Sequence, residues 1–108
     1  MLSDMIHKPA EEEKEKHTPD ILIVDEKTVK LMCGKEILHP STDKHYIAWL
    51  KLYGIDKDDK LHELGTHYPT PVLSDPVAYF TVDVNNYKAF HAIEFCNIHG
   101  LWENEKKM

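Results

Sequence analysis

The length and charge of the chain narrow the classes of protein to which it can belong. The sequence has 108 residues, which suits one domain with a modest core, and a formal net charge of −6. This negative charge argues against a nucleic-acid partner, which normally requires a basic face. No run of about 18 apolar residues and no signal peptide with an apolar centre is visible, so we expect no membrane span and a cytoplasmic location.

The start of the chain is polar and then gives way to β-strand patterns. Residues 1–14 include the beginning of a charge run, and we expect a solvated arm there, followed by a single domain over residues 15–108. Residues 21–24 and 28–32 are rich in β-branched and aliphatic side chains. The polar residues between them predict a β-hairpin.

Three further strands are expected after this hairpin. Residues 45–53 alternate, which places His45, Ile47 and Trp49 on one face of a strand. A long polar connection is expected over residues 54–75. Two strands then follow over residues 77–84 and 89–95, with the turn pair Asn85 and Asn86 between them. Short strands with frequent turn signals predict an all-β, antiparallel sandwich or barrel.

Histidine and cysteine side chains supply a candidate set of metal ligands. Cys96 and His99 lie close together near the end of the chain, His39 and His45 bracket a short loop, and His17 lies upstream. One thiol and four imidazoles suit a soft-to-borderline transition metal. Five donors are too many for a closed tetrahedral zinc site, and they suit an iron with one open face.

The other thiol and the other imidazoles are expected to have structural roles. Cys33 lies at the end of an apolar-rich strand, where a small buried thiol is the simpler reading. If Cys96 binds a metal, no disulfide framework remains, which agrees with a reducing compartment. The remaining histidines are interpreted as surface imidazoles in loops (His7, His62 and His67) and as a polar strand residue (His91).

Three short motifs carry the clearest functional signal. They are Glu-Lys-His-x-Pro from Glu15, His-Pro-x4-His-x-Ile-x-Trp from His39, and Cys-Asn-x-His-Gly-x-Trp from Cys96. Together they resemble the motifs of superoxide reductases, the small iron proteins also called neelaredoxins, and they extend over residues 15–102. The resemblance implies a seven-stranded, immunoglobulin-like antiparallel β-sandwich or barrel with one mononuclear non-haem iron.

The resemblance also assigns the ligands and the reaction. It implies that His17, His39, His45 and His99 form a square plane around the iron, and that the Cys96 thiolate takes one axial position. The open face would bind superoxide. The implied activity is the one-electron reduction of superoxide to hydrogen peroxide.

The two residues that precede His17 receive catalytic roles from the same resemblance. Lys16 would attract superoxide and hold a water that supplies a proton. Glu15 would bind the oxidised iron once peroxide has left. A carboxylate is favoured there because the oxidised iron carries one more positive charge than the reduced iron.

The expected partners and the alternative functions complete this reading. No second cofactor motif is visible, so the electron donor is expected to be a separate protein, and the resemblance suggests rubredoxin or a similar small iron carrier. It also suggests a homo-oligomer, specifically a tetramer. One alternative is a non-catalytic metal-binding β-sandwich that holds zinc or iron. The visible spectrum of the oxidised protein would distinguish this alternative, because a ferric thiolate absorbs visible light and zinc does not. The other is an immunoglobulin-like interaction module with incidental histidines, which would be excluded if the ligands converge on one ion.

Overall fold

The chain forms two β-sheets with a shared apolar core. The computed structural model describes residues 1–8 and 17–108. Within these ranges two short 3-10 helices lie at Leu2–Met5 and Val84–Asn86, and no helix is long and apolar enough to cross a membrane. The strands are β1 (Ile6–His7), β2 (Pro19–Asp25), β3 (Thr28–Cys33), β4 (Ile47–Asp56), β5 (Leu61–His67), β6 (Val77–Thr81), β7 (Tyr87–Cys96) and β8 (Gly100–Lys107).

The strand order defines a five-stranded and a three-stranded sheet. The orders are β1-β8-β7-β4-β5 and β2-β3-β6. Neighbouring strands are antiparallel except β1, which runs parallel to β8. The expected all-β sandwich is confirmed, with seven strands of five to ten residues and the two-residue β1. The predicted arm boundary at residue 14 lies outside the described residues and stays a prediction.

Alternating side chains of both sheets form the core. In β3 every second residue is buried, which places Val29, Leu31 and Cys33 in the interior. Phe90 and Ala92 of β7 belong to the same cluster. Burial of one large aliphatic or aromatic side chain contributes about 1.5–3 kcal/mol, so this packing fixes the sheets and the loops at their ends. The expectation of a buried thiol at Cys33 is confirmed.

Strand β4 departs from simple alternation near its start. Its register with β7 shifts between Ile47 and Trp49, which marks a β-bulge. After the bulge, Leu50 and Leu52 are buried on the same side as Ile47, whereas Trp49 is only half-buried. The prediction that Ile47 and Trp49 share one face is wrong for this reason.

Three strands have no counterpart in the sequence-based prediction, namely β1, β5 and β8. Strand β1 lies within residues 1–14, which were expected to be a solvated arm. Strand β5 lies within residues 54–75, which were expected to be a polar connection, and its first three residues are exposed at the edge of the sheet. Strand β8 is strongly charged. The predicted strands after residue 76 are confirmed as β6 and β7, and the turn residues Asn85 and Asn86 carry the chain from one sheet to the other.

Candidate metal centre

The predicted metal ligands come from three connections at one end of the sandwich. His17 precedes β2, His39 and His45 lie between β3 and β4, Cys96 ends β7, and His99 lies in the turn before β8. Antiparallel pairing places the start of one strand beside the end of its neighbour. The sheet topology therefore brings these distant sequence positions together.

Donor atoms of four of the predicted ligands lie close enough to share one metal ion, and His99 lies beside two of them. One donor atom from each of His17, His39, His45 and Cys96 lies within 4.8 Å of the others. His99 Nδ1 lies 2.9 Å from His17 Nε2 and 3.8 Å from Cys96 Sγ, and His39 Nε2 lies 3.4 Å from the same sulfur. Donors bonded to one ion at about 2.0–2.3 Å are separated by about 3 Å when adjacent and about 4 Å when opposite. The observed separations fit such an ion.

The four imidazole rings form a closed cycle. The ring centroids of the successive pairs His17–His39, His39–His45, His45–His99 and His99–His17 are 4.8, 4.5, 5.1 and 4.6 Å apart. Ring planes within these pairs meet at 72°, 78°, 69° and 82°. The diagonal pair His17–His45 is separated by 6.2 Å. The four sides are nearly equal and the measured diagonal is longer, so the four rings form a compact ring-shaped cluster.

Hydrogen bonding prepares His39 to bind a metal through Nε2. Its Nδ1 lies 2.8 Å from the Pro40 carbonyl oxygen, which can only accept, so Nδ1 carries the proton in the neutral ring. The pKa of His39 is lowered to about 4, mainly by burial. The hydrogen bond to Pro40 raises this pKa, and the three neighbouring imidazoles lower it further. The ring is therefore neutral at pH 7, with its Nε2 lone pair available to a metal.

Short-range hydrogen bonds hold the loop that carries His39 and His45. The His39 amide donates to the Cys33 carbonyl oxygen at 2.8 Å. The Thr42 amide donates to the His45 carbonyl oxygen at 2.9 Å, and the His45 amide donates to Thr42 Oγ1 at 2.9 Å. These reciprocal bonds close the turn before His45 and limit the positions that its side chain can take.

Asn97 links this loop to the turn that carries the thiol. Its Nδ2 donates to the Lys44 carbonyl oxygen and its Oδ1 accepts from the Tyr46 amide, both at 2.9 Å. The sulfur of Cys96 is fully buried and accepts from the His99 amide at 3.4 Å. Such a bond withdraws charge from the sulfur and thereby tunes a metal bound to it.

Glu94 is a buried carboxyl group near the cluster that the sequence analysis did not single out. It is fully buried, Oε2 accepts a hydrogen bond from Cys33 Sγ, and Oε1 has no hydrogen-bond partner among residues 1–8 and 17–108. Burial raises the pKa of Glu94 well above its usual range. Burial also raises the pKa of the Cys33 thiol, and the nearby Glu94 and Cys96 add to that effect. The sequence could have predicted this burial, because alternation along β7 places residue 94 on the same face as Phe90 and Ala92.

The predicted catalytic residues Glu15 and Lys16 lie outside the described residues. Their roles, and the role of Glu15 as a ligand, stay predictions.

The other histidines are not members of the imidazole cycle. His91 Nε2 lies 2.7 Å from a Glu103 carboxylate oxygen, in agreement with a polar strand residue. His62 Nε2 lies 2.8 Å from Asp56 Oδ2. The expectation of loop positions is wrong for three of these residues, which lie in strands β1 and β5: His7, His62 and His67.

Comparisons with known proteins agree with the motifs that form this cluster. The sequence matches the desulfoferrodoxin family over residues 9–105. A superoxide reductase of Pyrococcus abyssi is 38% identical, with 100% of this chain and 99% of that protein aligned. A neelaredoxin of Megalodesulfovibrio gigas is 33% identical, with 85% of each chain aligned.

Solved structures extend the similarity to the fold. A superoxide reductase from Giardia intestinalis is 41% identical and superposes with a TM-score of 0.80 over 88% of this chain and 100% of that chain. A neelaredoxin from Ignicoccus hospitalis is 28% identical, with a TM-score of 0.83 over 100% of this chain and 97% of that chain. The family match covers most of the sequence, and the aligned relatives are similar along nearly their whole length. The chain therefore belongs to the desulfoferrodoxin family.

Proposed function

We propose that this protein is a superoxide reductase, an oxidoreductase that transfers one electron to superoxide at a single mononuclear iron and releases hydrogen peroxide. The observation that carries the proposal is the convergence of four imidazoles and one thiol at one end of the sandwich. Relatives that are named superoxide reductases and align over the whole chain support the reaction.

The proposed ligands are the imidazoles of His17, His39, His45 and His99 and the thiolate of Cys96. This donor set suits a borderline metal, and its five members exceed the four of a closed tetrahedral zinc site. Iron held there would supply the single electron. The thiolate is the only charged donor among the five, so the site with a ferrous ion has a net charge of about +1, which favours a small anion.

The reaction requires one electron and two protons for each superoxide: O2•− + e− + 2 H+ → H2O2. We assign to Lys16 the attraction of the anion, because a nearby ammonium group raises the local concentration of negatively charged substrate. A water held by Lys16 would supply one proton, and solvent the other. We assign to Glu15 the compensation of the additional positive charge that remains after the electron has left the site.

A separate protein would restore the electron after each turnover. We propose rubredoxin or a similar small iron carrier, because the sequence contains no motif for a second cofactor. A homotetramer, a cytoplasmic location and a single domain over residues 15–108 belong to the same proposal.

The reaction is tested by anaerobic mixing of the reduced, iron-loaded protein with superoxide. We expect one hydrogen peroxide for each iron oxidised, and no dioxygen formed by the protein. Release of dioxygen would identify dismutation instead. Peroxide formation no faster than in buffer would favour a non-catalytic metal-binding protein.

The thiolate assignment is tested by a matched pair of cysteine variants. Cys96→Ser should remove the visible absorption of the oxidised protein, because oxygen does not replace the soft sulfur donor. Cys33→Ala should retain this absorption, since Cys33 is outside the cluster of donor atoms. An intact visible band in Cys96→Ser would contradict the proposed ligand set.

A further inference from the structure

A short aromatic column connects the amino-terminal strand to His17. Strand β1 pairs with β8 in a register that places His7 opposite Trp102. The His7 ring stacks on the indole with a centroid distance of 4.5 Å and an interplanar angle of 26°. The indole stacks in turn on the His17 ring at 4.9 Å and 19°. These three rings are the aromatic column.

The inner part of this column lies in the protein interior. Trp102 is 3% exposed and His17 is fully buried, whereas His7 is half-buried at the outer end. An ion pair between Lys8 and Glu103, the residues that follow His7 and Trp102, adds a second attachment of β1 to β8. The outer ring is therefore held against the indole by both the backbone and a neighbouring charge pair.

The His17 ring packs face to face with the Trp102 indole. His17 precedes Pro19, the first residue of β2, so it lies outside the paired part of that strand. The His39 and His99 rings contact it at steep angles of 72° and 82°, while Trp102 is nearly parallel to it. The indole thus supplies the flat surface against which the imidazole plane is set.

We propose that His7 is a positioning residue for the metal centre, acting through Trp102 to hold the His17 ring with Nε2 towards the other donors. Metal binding then depends on the docking of β1 against β8. The inference rests on the proposed role of His17 as a ligand. Residues that orient a metal ligand from outside the coordination sphere typically change metal affinity by about 10–100-fold when they are replaced.

The role belongs to the planar ring of His7. His7→Phe keeps a planar ring of similar size without the imidazole nitrogens, whereas His7→Ala removes the stack. We expect His7→Ala to weaken metal binding by about tenfold, the lower end of the range for such residues, because His7 acts through a second side chain. His7→Phe should restore the parent affinity.

The test is a titration of the metal-depleted full-length protein with Co(II) in competition with a chelator. The cobalt–thiolate absorption reports occupancy without any superoxide chemistry, and its visible bands report the ligand geometry. His62→Ala is the matched control, because this histidine lies in β5 at the opposite edge of the five-stranded sheet. The control should bind cobalt as the parent does, and His17→Ala should lose more affinity than His7→Ala.

Parent affinity and unchanged cobalt bands in His7→Ala would overturn the proposal, as would equal weakening in His7→Phe. If His7→Ala does not fold, His7→Leu compared with His7→Phe decides the same question, because leucine fills space without a planar ring. Loss of cobalt in His17→Ala with full affinity in His7→Ala would refute the positioning role alone. Full affinity in His17→Ala would refute the ligand assignment and the positioning role together.

Discussion

Replacement of Glu94 by glutamine should stabilise the metal-free protein at neutral pH. The Glu94 side chain is fully buried, and burial raises its pKa well above the usual range. The folded protein then keeps a proton on Glu94 that the unfolded chain releases, and stability falls as the pH rises. Glutamine has nearly the same shape and no titrating group, so the variant should not lose stability in this way as the pH rises.

The size of the effect follows from the difference of one bound proton. In the unfolded chain the carboxyl group titrates near its ordinary pKa of 4.5. Above that value, each pH unit lowers the free energy of unfolding of the parent by about 1.4 kcal/mol, until the pH reaches the raised pKa of the folded protein. The stability advantage of Glu94→Gln should therefore grow at this rate over the pH range between the two pKa values.

The assay is urea unfolding of the metal-free proteins at several pH values, followed by tryptophan fluorescence. Glu63→Gln is the control, because it makes the same substitution at an exposed residue near the start of β5. An advantage of Glu94→Gln that is equal at pH 5 and pH 7 would refute the reasoning, since Glu94 would then be ionised in the folded protein.

Three further substitutions test other parts of the structure and the proposed reaction. Lys16→Ala should slow superoxide capture, most clearly at low ionic strength, with an unchanged ferric spectrum; equal capture rates in pulse radiolysis would make Lys16 an ordinary surface charge. Glu15→Ala should shift the ferric spectrum and leave the oxidation rate of the reduced protein nearly unchanged, and an unaltered spectrum would remove Glu15 from the site. Gly54→Ala should lower the free energy of unfolding by about 1–3 kcal/mol, because a Cβ there would lie 2.6 Å from the Tyr87 ring. If the variant unfolds at the same temperature as the parent, the Tyr87 ring moves aside without a loss of stability.

Local patterns predict the parts of the structure that depend on neighbouring residues. The hairpin of β2 and β3 follows from two aliphatic runs around a polar turn, and both strands have enough residues to reveal it. The pairs His39 and His45, and Cys96 and His99, belong to short motifs, so their proximity is visible in the sequence. His17 is distant along the chain, and the family resemblance was needed to assign it as a ligand in preference to the other histidines.

The features that escaped prediction depend on contacts between distant segments. Strand β5 is an edge strand with largely polar side chains, and its pairing with β4 leaves no apolar alternation to detect. The bulge near Trp49 is a property of the register between β4 and β7. The stacking of His7 depends on a two-residue parallel pairing across the whole chain, which no local pattern encodes.

The order of the proposed ligands along the chain has a consequence for how the protein assembles. His39 and His45 form one local pair and Cys96 and His99 another, and pairing of Ile47 with Cys96 already joins the two segments once β4 and β7 meet. Pairing of β4 with β7 therefore offsets the entropy cost of closing the loop between Ile47 and Cys96. A metal ion would then meet four of the proposed donors already close together. His17 is the donor that lies outside these two pairs. Because a ligand of the folded state stabilises by mass action, metal loading should slow amide exchange around His17 and β1, where local opening would separate this donor from the other four.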